Sequence, residues 1–269
     1  MTDSFAARYG PWGVVLGASE GLGAAWADGL AARGLHVVAA ARRADPLREV
    51  ASGIERQHGV EARAVPLDLA SDAFLDELRA VTDELDVGFV VYNGAAGYVG
   101  PMAAQGTESL HAIVAVNCTG PLLVCAHYGP RLVERGRGGV VVMGSAAGLA
   151  GAAFNSAYAA SKAFDLVLGE SLWAEWRSSG VDVLSVIGPA IDTPNFRAAN
   201  AELDESMPAP MAPSALVDEV LEIIGTTPSF VPGAPTRDGL AVMGSLPRHQ
   251  QVELMSAAHA RFAHSGRTI

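Results

Sequence analysis

Trp12-Gly13-Val14-Val15-Leu16-Gly17-Ala18-Ser19-Glu20-Gly21-Leu22-Gly23, followed by an alanine-rich run to Arg33, is the stretch that decides the fold. Its Val-rich start reads as a strand, the glycines as a turn and the alanine-rich run as a helix. Each glycine has its own use. Gly17 permits the tight turn, Gly21 lets main chain approach a pyrophosphate, and Gly23 lets helix and strand pack closely. The N–H groups that open the helix then face phosphate. The plain alternative is a glycine-rich turn that holds nothing.

Working outward, the same alternation repeats. Apolar runs at 36–41, 62–67, 87–92, 139–143 and 181–187 read as strands, with helical patterns at 46–58, at 109–134 and from Ala157 to about residue 178. Continuous apolar strands alternating with helices predict an α/β fold: a single-domain, Rossmann-like, doubly wound parallel sheet with helices on both faces. No linker or repeat interrupts residues 1–269, so one domain is expected. Gly120 and Pro121 are expected to bend the helix at 109–134. The segment at about 190–213 mixes Ala, Met and Pro. It reads either as a substrate lid with Phe196, Met207 and Met211 beneath it or as a solvated loop. A helix at 216–224, a short strand near Phe230 and a last helix at about 249–262 complete the reading.

Half of the residues are hydrophobic and 17% are charged, which supplies a large core. The formal charge of −11 argues against a nucleic-acid partner, which needs a basic footprint, and favours a cytoplasmic protein. Residues 1–10 lack the basic start and apolar run of a signal peptide. The longest apolar stretch, 140–154, is broken by Gly144, Ser145, Gly148 and Gly151, so no membrane partner is expected. Cys118 and Cys125 share one helix at a separation of about 10 Å, too far for a disulfide. Neither has the neighbours of a zinc site, and no metal is expected.

The strand ends carry the chemistry. Arg42 and Arg43 close the strand at 36–41; they suit bidentate contact with a ribose 2′-phosphate, which favours NADP over NAD, or they are solvated surface charge. Asp68 follows the strand at 62–67 and either accepts from an adenine amino group or caps the next helix. Asn93 opens a small-residue turn after the strand at 87–92, and Ser145 lies just past the strand at 139–143. Tyr158 and Lys162 stand four apart, on one face of a helix. A free phenol ionises at about pH 10, so bringing it to neutrality takes about 4 kcal/mol of preferential stabilisation of the phenolate. A nearby Lys⁺ acts with that sign. A tyrosine so tuned gives a proton to a carbonyl oxygen or takes one from an alcohol, while Ser145 holds that oxygen.

The order Gly17-x-x-x-Gly21-x-Gly23, Asp68, Asn93, Asn117, Ser145, Tyr158 and Lys162 resembles the short-chain dehydrogenase/reductase superfamily over nearly the whole chain. The resemblance implies that Tyr158 is the acid/base, that Ser145 orients the carbonyl, that Lys162 holds the nicotinamide ribose and that Asn117 positions a water in the proton relay. It implies cofactor contacts at Gly17, Ser19, Gly21, Leu22, Gly23, Arg42, Arg43, Asp68, Leu69, Asn93, Tyr158, Lys162 and Thr193, the last at the nicotinamide carboxamide. Four departures stand out. Leu16 replaces a common Thr, Tyr92-Asn93-Gly94-Ala95 replaces Asn-Asn-Ala-Gly, Gly188-Pro189 reverses Pro-Gly, and Glu20 fills a position often basic in NADP-preferring members. None removes a catalytic group.

The expected function is an oxidoreductase that moves hydride between NADP, or alternatively NAD, and a ketone or secondary alcohol. Tyr98, Ala146, Ala147, Leu149 and Phe154 are expected to line a pocket without Arg or Lys, pointing to an uncharged hydrophobic small molecule. A same-fold epimerase or dehydratase with retained cofactor and a non-catalytic cofactor sensor are the alternatives. The intact Ser, Tyr, Lys and Asn set argues against the sensor. By the resemblance, the helices running from Ser109 and Ala157 pair copies into a homodimer or homotetramer. Leu166, Trp173 and Trp176 lie either at that contact or against the sheet.

Overall fold

The computed structural model describes residues 4–199, 209–260 and 267–268. In chain order, α1 (Phe5–Tyr9), β1 (Trp12–Leu16), α2 (Gly21–Ala31), β2 (His36–Ala41), α3 (Ala44–His58), β3 (Ala62–Pro66), α4 (Phe74–Thr82) and β4 (Val87–Tyr92) form the first half. They are followed by β5 (Tyr98–Val99), α5 (Thr107–Val114), α6 (Gly120–Arg135), β6 (Gly138–Met143), α7 (Ser156–Trp176) and β7 (Val181–Val186). The last elements are α8 (Pro194–Ala199), α9 (Pro213–Ile223), β8 (Ser229–Phe230), α10 (Ala234–Gly244), α11 (Arg248–Ala260) and β9 (Arg267–Thr268).

Seven strands pair in the order β3-β2-β1-β4-β6-β7-β8, every neighbouring pair parallel. The order reverses between β1 and β4, which opens a crevice at the carboxyl ends of those strands. Side-chain alternation divides the core. Val15, Val37, Ala39, Phe89 and Val91 meet Trp26 and Leu30 of α2, Leu47 and Ile54 of α3, and Leu216 and Val220 of α9. On the other face Val14, Val38 and Val90 meet Phe74 and Leu78 of α4 and Tyr128 of α6, and Val140 and Val183 meet Leu132 and Trp176. Strands covered on both faces favour apolar residues at successive positions, which is why the sequence shows nearly continuous runs.

These strands stand where the sequence predicts them, to within a residue at each end. Two features were not foreseen. Helix α1 fastens to β7 through Asp182, which accepts from Tyr9 Oη at 2.7 Å and from Arg8 Nε at 2.8 Å. A second, two-stranded sheet pairs β5 with β9, antiparallel.

Two expectations need correction. Helical structure runs from Thr107 to Arg135, and its irregularity is a π turn at Ala115–Thr119, ahead of Gly120 and Pro121. The Gly120 N–H bonds Ala115 O, which leaves Val116 O for the Tyr92 hydroxyl at 2.5 Å. Pro121 sits in the first turn of α6, a position proline tolerates. By length and composition that run passes for a membrane span, yet Val124, Cys125, Tyr128 and Leu132 face the core. The segment at 190–213 is not wholly irregular: it contains α8 with Phe196, and Met211 bridges back to Ile191 and packs on the core. Met207 and the rest of 200–208 lie outside the described residues. Trp176, weighed between an intersubunit contact and the sheet, takes the second place: it is buried with Val140 of β6 and Val183 of β7 and lies against Gly129.

A Cβ on Gly23 would lie 1.9 Å from the carbonyl oxygen of Gly17, whereas one on Gly53 of α3 meets nothing nearer than 4.0 Å. Gly23→Ala is therefore expected to cost about 3 kcal/mol of stability, while Gly53→Ala adds about 0.5–1 kcal/mol through helix propensity. Thermal unfolding followed by circular dichroism reads both; equal midpoints for the two variants would contradict the packing described.

Candidate active site

The site begins where β1 ends. Gly17 takes a φ of 84°, and a Cβ there would meet the main chain of Gly94 at 2.8 Å. The β1 turn, the start of α2 and the turn after β4 thus interlock backbone to backbone. Asn93 joins them: its N–H donates to Leu16 O at 3.0 Å and its Nδ2 to Gly17 O at 3.1 Å. The link that a Thr hydroxyl at position 16 would have made is supplied from the other side. Leu69 fills the space under Gly94, and the Thr193 side chain lies over Gly21 while its Oγ1 accepts from Phe196 N at 3.1 Å.

The glycine turn suits a dinucleotide. No side chain caps the start of α2, so its first N–H groups stay available to phosphate. Glu20 instead pairs with Arg43 at 2.6 Å, and Arg43 Nη2 also reaches Ser19 Oγ at 3.3 Å. Arg42 is exposed and meets no carboxylate among the described residues. Asp68 does not cap the next helix, which starts at Phe74 from Ala73; its Oδ1 accepts from Ala70 N at 3.0 Å within the turn that follows β3.

Ser145 leaves β6 in extended conformation and opens a short 3-10 turn at Ala146–Gly148, with its Oγ accepting from Ala147 N at 3.2 Å. That turn is pressed onto α7: a Cβ on Gly148 would lie 2.5 Å from the carbonyl carbon of Lys162. Lys162 is 3% exposed, and its Nζ donates to Met143 O at 2.9 Å and to Asp165 Oδ2 at 2.8 Å. The same nitrogen lies 5.8 Å from the centroid of the Tyr158 ring. Burial works against the ammonium, but Asp165 and Tyr158 outweigh it and hold the Lys162 pKa above its ordinary value. Burial pushes the Asp165 carboxyl up to about 6 against the pull of Lys162, so the pair is ionised at neutral pH.

Ser145, Tyr158 and Lys162 share one cleft with Leu22, Asn93, Ala95, Met143, Gly144, Gly188, Pro189 and Ile191. Asn117 stands one layer behind. It is fully buried, exchanges two 2.8 Å bonds with the main chain of Ala96 and donates to Ser161 Oγ at 2.9 Å. The expected substrate wall of Tyr98, Ala146, Ala147, Leu149 and Phe154 does not line this cleft. Instead α11 grips the segment between Ser145 and Tyr158: Arg248 donates to Leu149 O, Ser256 Oγ accepts from Ala153 N, and His259 meets Asn155. Those contacts span about a hundred residues, and no local pattern announces them. Asp165 was also missed, although a carboxylate three positions after Lys162 falls on the same helix face.

The family described as short chain dehydrogenase matches over residues 12–204. A 7beta-hydroxysteroid dehydrogenase of Collinsella aerofaciens is 30% identical over 236 residues, 87% of this chain and 90% of that protein. A solved 7beta-hydroxysteroid dehydrogenase structure superposes with a TM-score of 0.90 at 28% identity, covering 94% of this chain and 99% of that one. A short-chain dehydrogenase from Sphingobium yanoikuyae in complex with NADPH gives a TM-score of 0.75 at 27% identity, covering 88% and 96%.

Arg43 is held by Glu20 across the mouth of the glycine turn. Glu20→Gln is expected to release it and lower the KM for NADPH by about two- to fivefold, the range of an exposed ion pair, with the KM for NADH little changed. Initial rates with each cofactor measure this, and an equal effect on both would show that Arg43 does not reach the 2′-phosphate.

Proposed function

The chain belongs to the short-chain dehydrogenase family and is an NAD(P)-dependent oxidoreductase of ketones and secondary alcohols; we propose that it prefers NADP, takes a bulky apolar substrate and uses Tyr158 as acid/base. The observation that carries this reading is the convergence of Ser145, Tyr158 and Lys162 on one cleft with Asn93 and Leu22 of the glycine turn region. Bound there, the nicotinamide supplies or accepts the hydride at the substrate carbon. Ser145 keeps its hydroxyl proton free, because its oxygen only accepts from Ala147, and donates it to the substrate oxygen. Tyr158 gives its proton to that oxygen in reduction and takes it back in oxidation. Lys162 has two N–H groups committed to Met143 and Asp165, and the third is left for the ribose and the phenol. Asn117 holds the π turn to the Ala96 main chain and Ser161, fixing the floor behind the tyrosine.

Arg42, exposed beside the glycine turn, supports the NADP preference, as does the NADPH-bound relative. Leu22, Ala95, Met143 and Ile191 give the cleft an apolar lining, and among the described residues Lys162 is its sole ionic group. The hydroxysteroid dehydrogenase similarity supports a rigid, polycyclic or comparably bulky carbonyl compound. The reaction belongs in the cytoplasm, in keeping with free thiols at Cys118 and Cys125. Copies pair through α6 and α7, which expose Leu122, Leu123, Phe164 and Val167.

Tyr158→Phe is expected to lower kcat with bulky ketones and a 7-oxosteroid by about 10³-fold or more, while NADPH affinity, read by fluorescence, stays within about twofold. Normal turnover in that variant would refute the mechanism. Light scattering is expected to give a multiple of the 27.7 kDa chain mass, and Val167→Glu should shift it toward the monomer; a monomeric wild type would reject the pairing.

A further inference from the structure

We propose that Asp165 is a positioning residue of this reaction: from behind, it fixes the direction of the Lys162 ammonium and limits how much of its positive charge reaches Tyr158. The inference rests on the reading above, in which Tyr158 and Lys162 carry the proton chemistry. Asp165 is 1% exposed and its Oδ2 lies 2.8 Å from Nζ. Its other oxygen, Oδ1, is buried without a hydrogen-bond partner. A primary ammonium has three donors in tetrahedral array. With Met143 O and Asp165 taking two, the direction of the third is determined; without the carboxylate the ammonium keeps one anchor and turns freely.

The backbone that carries the carboxylate is anchored to the sheet. Ser185 of β7 donates to the main-chain oxygens of both Asp165 and Leu166, at 3.0 and 3.1 Å, and pins α7 at this residue. The groups facing Asp165 are Lys162 on its own helix, Tyr92 from β4, Cys118 from the π turn, Cys125 from α6 and Ser185 from β7. Burial, reinforced by the negative charge of Asp165, raises Tyr92, Cys118 and Cys125, so all three are neutral at physiological pH. Among the described residues Lys162 is thus the single cation acting on Asp165, and the two form a dipole whose positive end faces the phenol.

A stabilising role is a poor account of this pair. Burying two charges costs several kcal/mol per ion, and a well-packed apolar pair is often as stable. An orphaned carboxylate oxygen makes the balance worse. The pair does have a definite electrostatic effect: at an effective dielectric of about 20, removing a negative charge some ångströms behind the ammonium changes phenol ionisation by about one pH unit.

The test is a tyrosinate absorbance titration of the full chain, alone and with NADP, in which subtraction of the Tyr158→Phe spectrum isolates Tyr158. Burial keeps Tyr9, Tyr92 and Tyr128 out of the neutral range. Asp165→Asn is expected to move the Tyr158 midpoint about one unit toward acid. The basic limb of kcat for alcohol oxidation should move with it, giving about tenfold more activity at the foot of the limb and a substrate KM within about twofold. Asp165→Glu should restore the wild-type midpoint. Asp165→Val serves as a second charge deletion and should shift like the Asn variant, whichever of the two folds better. An unchanged or alkaline-shifted midpoint in both deletions, with Tyr158→Phe inactive, overturns the role of Asp165 and leaves the mechanism standing. A fully active Tyr158→Phe overturns the mechanism itself.

Discussion

A buried ammonium must be surrounded by oxygen, and the way Lys162 meets that demand fixes the rest of the site. Desolvating the charge costs several kcal/mol unless partners replace water. Its partners come from different elements: the last carbonyl of β6, at Met143, and the carboxylate of Asp165 on α7. The ion therefore ties a strand end to a helix. Ser145 lies two residues past Met143 and Tyr158 one turn before Lys162, so both hydroxyls are placed with respect to the same nitrogen.

Holding that geometry requires main chain to approach main chain. The Ser145 turn rests on α7 at Gly148, and a side chain there would push Ser145 out of the cleft. Behind it, Tyr92 explains the π turn. A Cβ on Gly120 would overlap the Tyr92 hydroxyl at 1.9 Å, and that hydroxyl occupies Val116 O in place of a helical N–H. The extra residue in the turn brings the Asn117 amide against the main chain of Ala96. An aromatic residue where the family commonly has Asn thus performs a defined structural task here.

The sheet was legible because strands buried on both faces leave mainly apolar runs, bounded by glycine-rich and polar turns. Gly17, Gly21 and Gly23 and the Ser145, Tyr158 and Lys162 set were legible because each is a local pattern. Interactions between distant segments were not. Glu20 and Arg43 stand far apart in sequence and meet only once β1 and β2 pair. The cause of the π turn, a hydroxyl on β4, lies 24 residues from Val116, so helix periodicity pointed to the nearer Pro121. Asp165 is the instructive omission: local spacing placed it beside Lys162, but a carboxylate is so often a solvated surface group that burial had to be seen.

The wall beyond Ser145 is governed differently from the chemistry. Phe154 has a φ of 66°, in the left-handed region that a bulky side chain rarely occupies. Such a conformation costs of order 1–3 kcal/mol and persists only where its surroundings over-determine it. They do so here. Phe154 O accepts from Gly100 N at 2.8 Å, Ala153 N donates to Ser256 on α11, and Asn155 meets His259 on the same helix. The segment that leads into Tyr158 is thus shaped by the end of the chain, while Ser145, Tyr158 and Lys162 are shaped by the sheet. With the reacting groups and this segment mounted on separate parts of the fold, changes in the last helices can alter the approach to Tyr158 without disturbing the ammonium, carbonyl and carboxylate that position it.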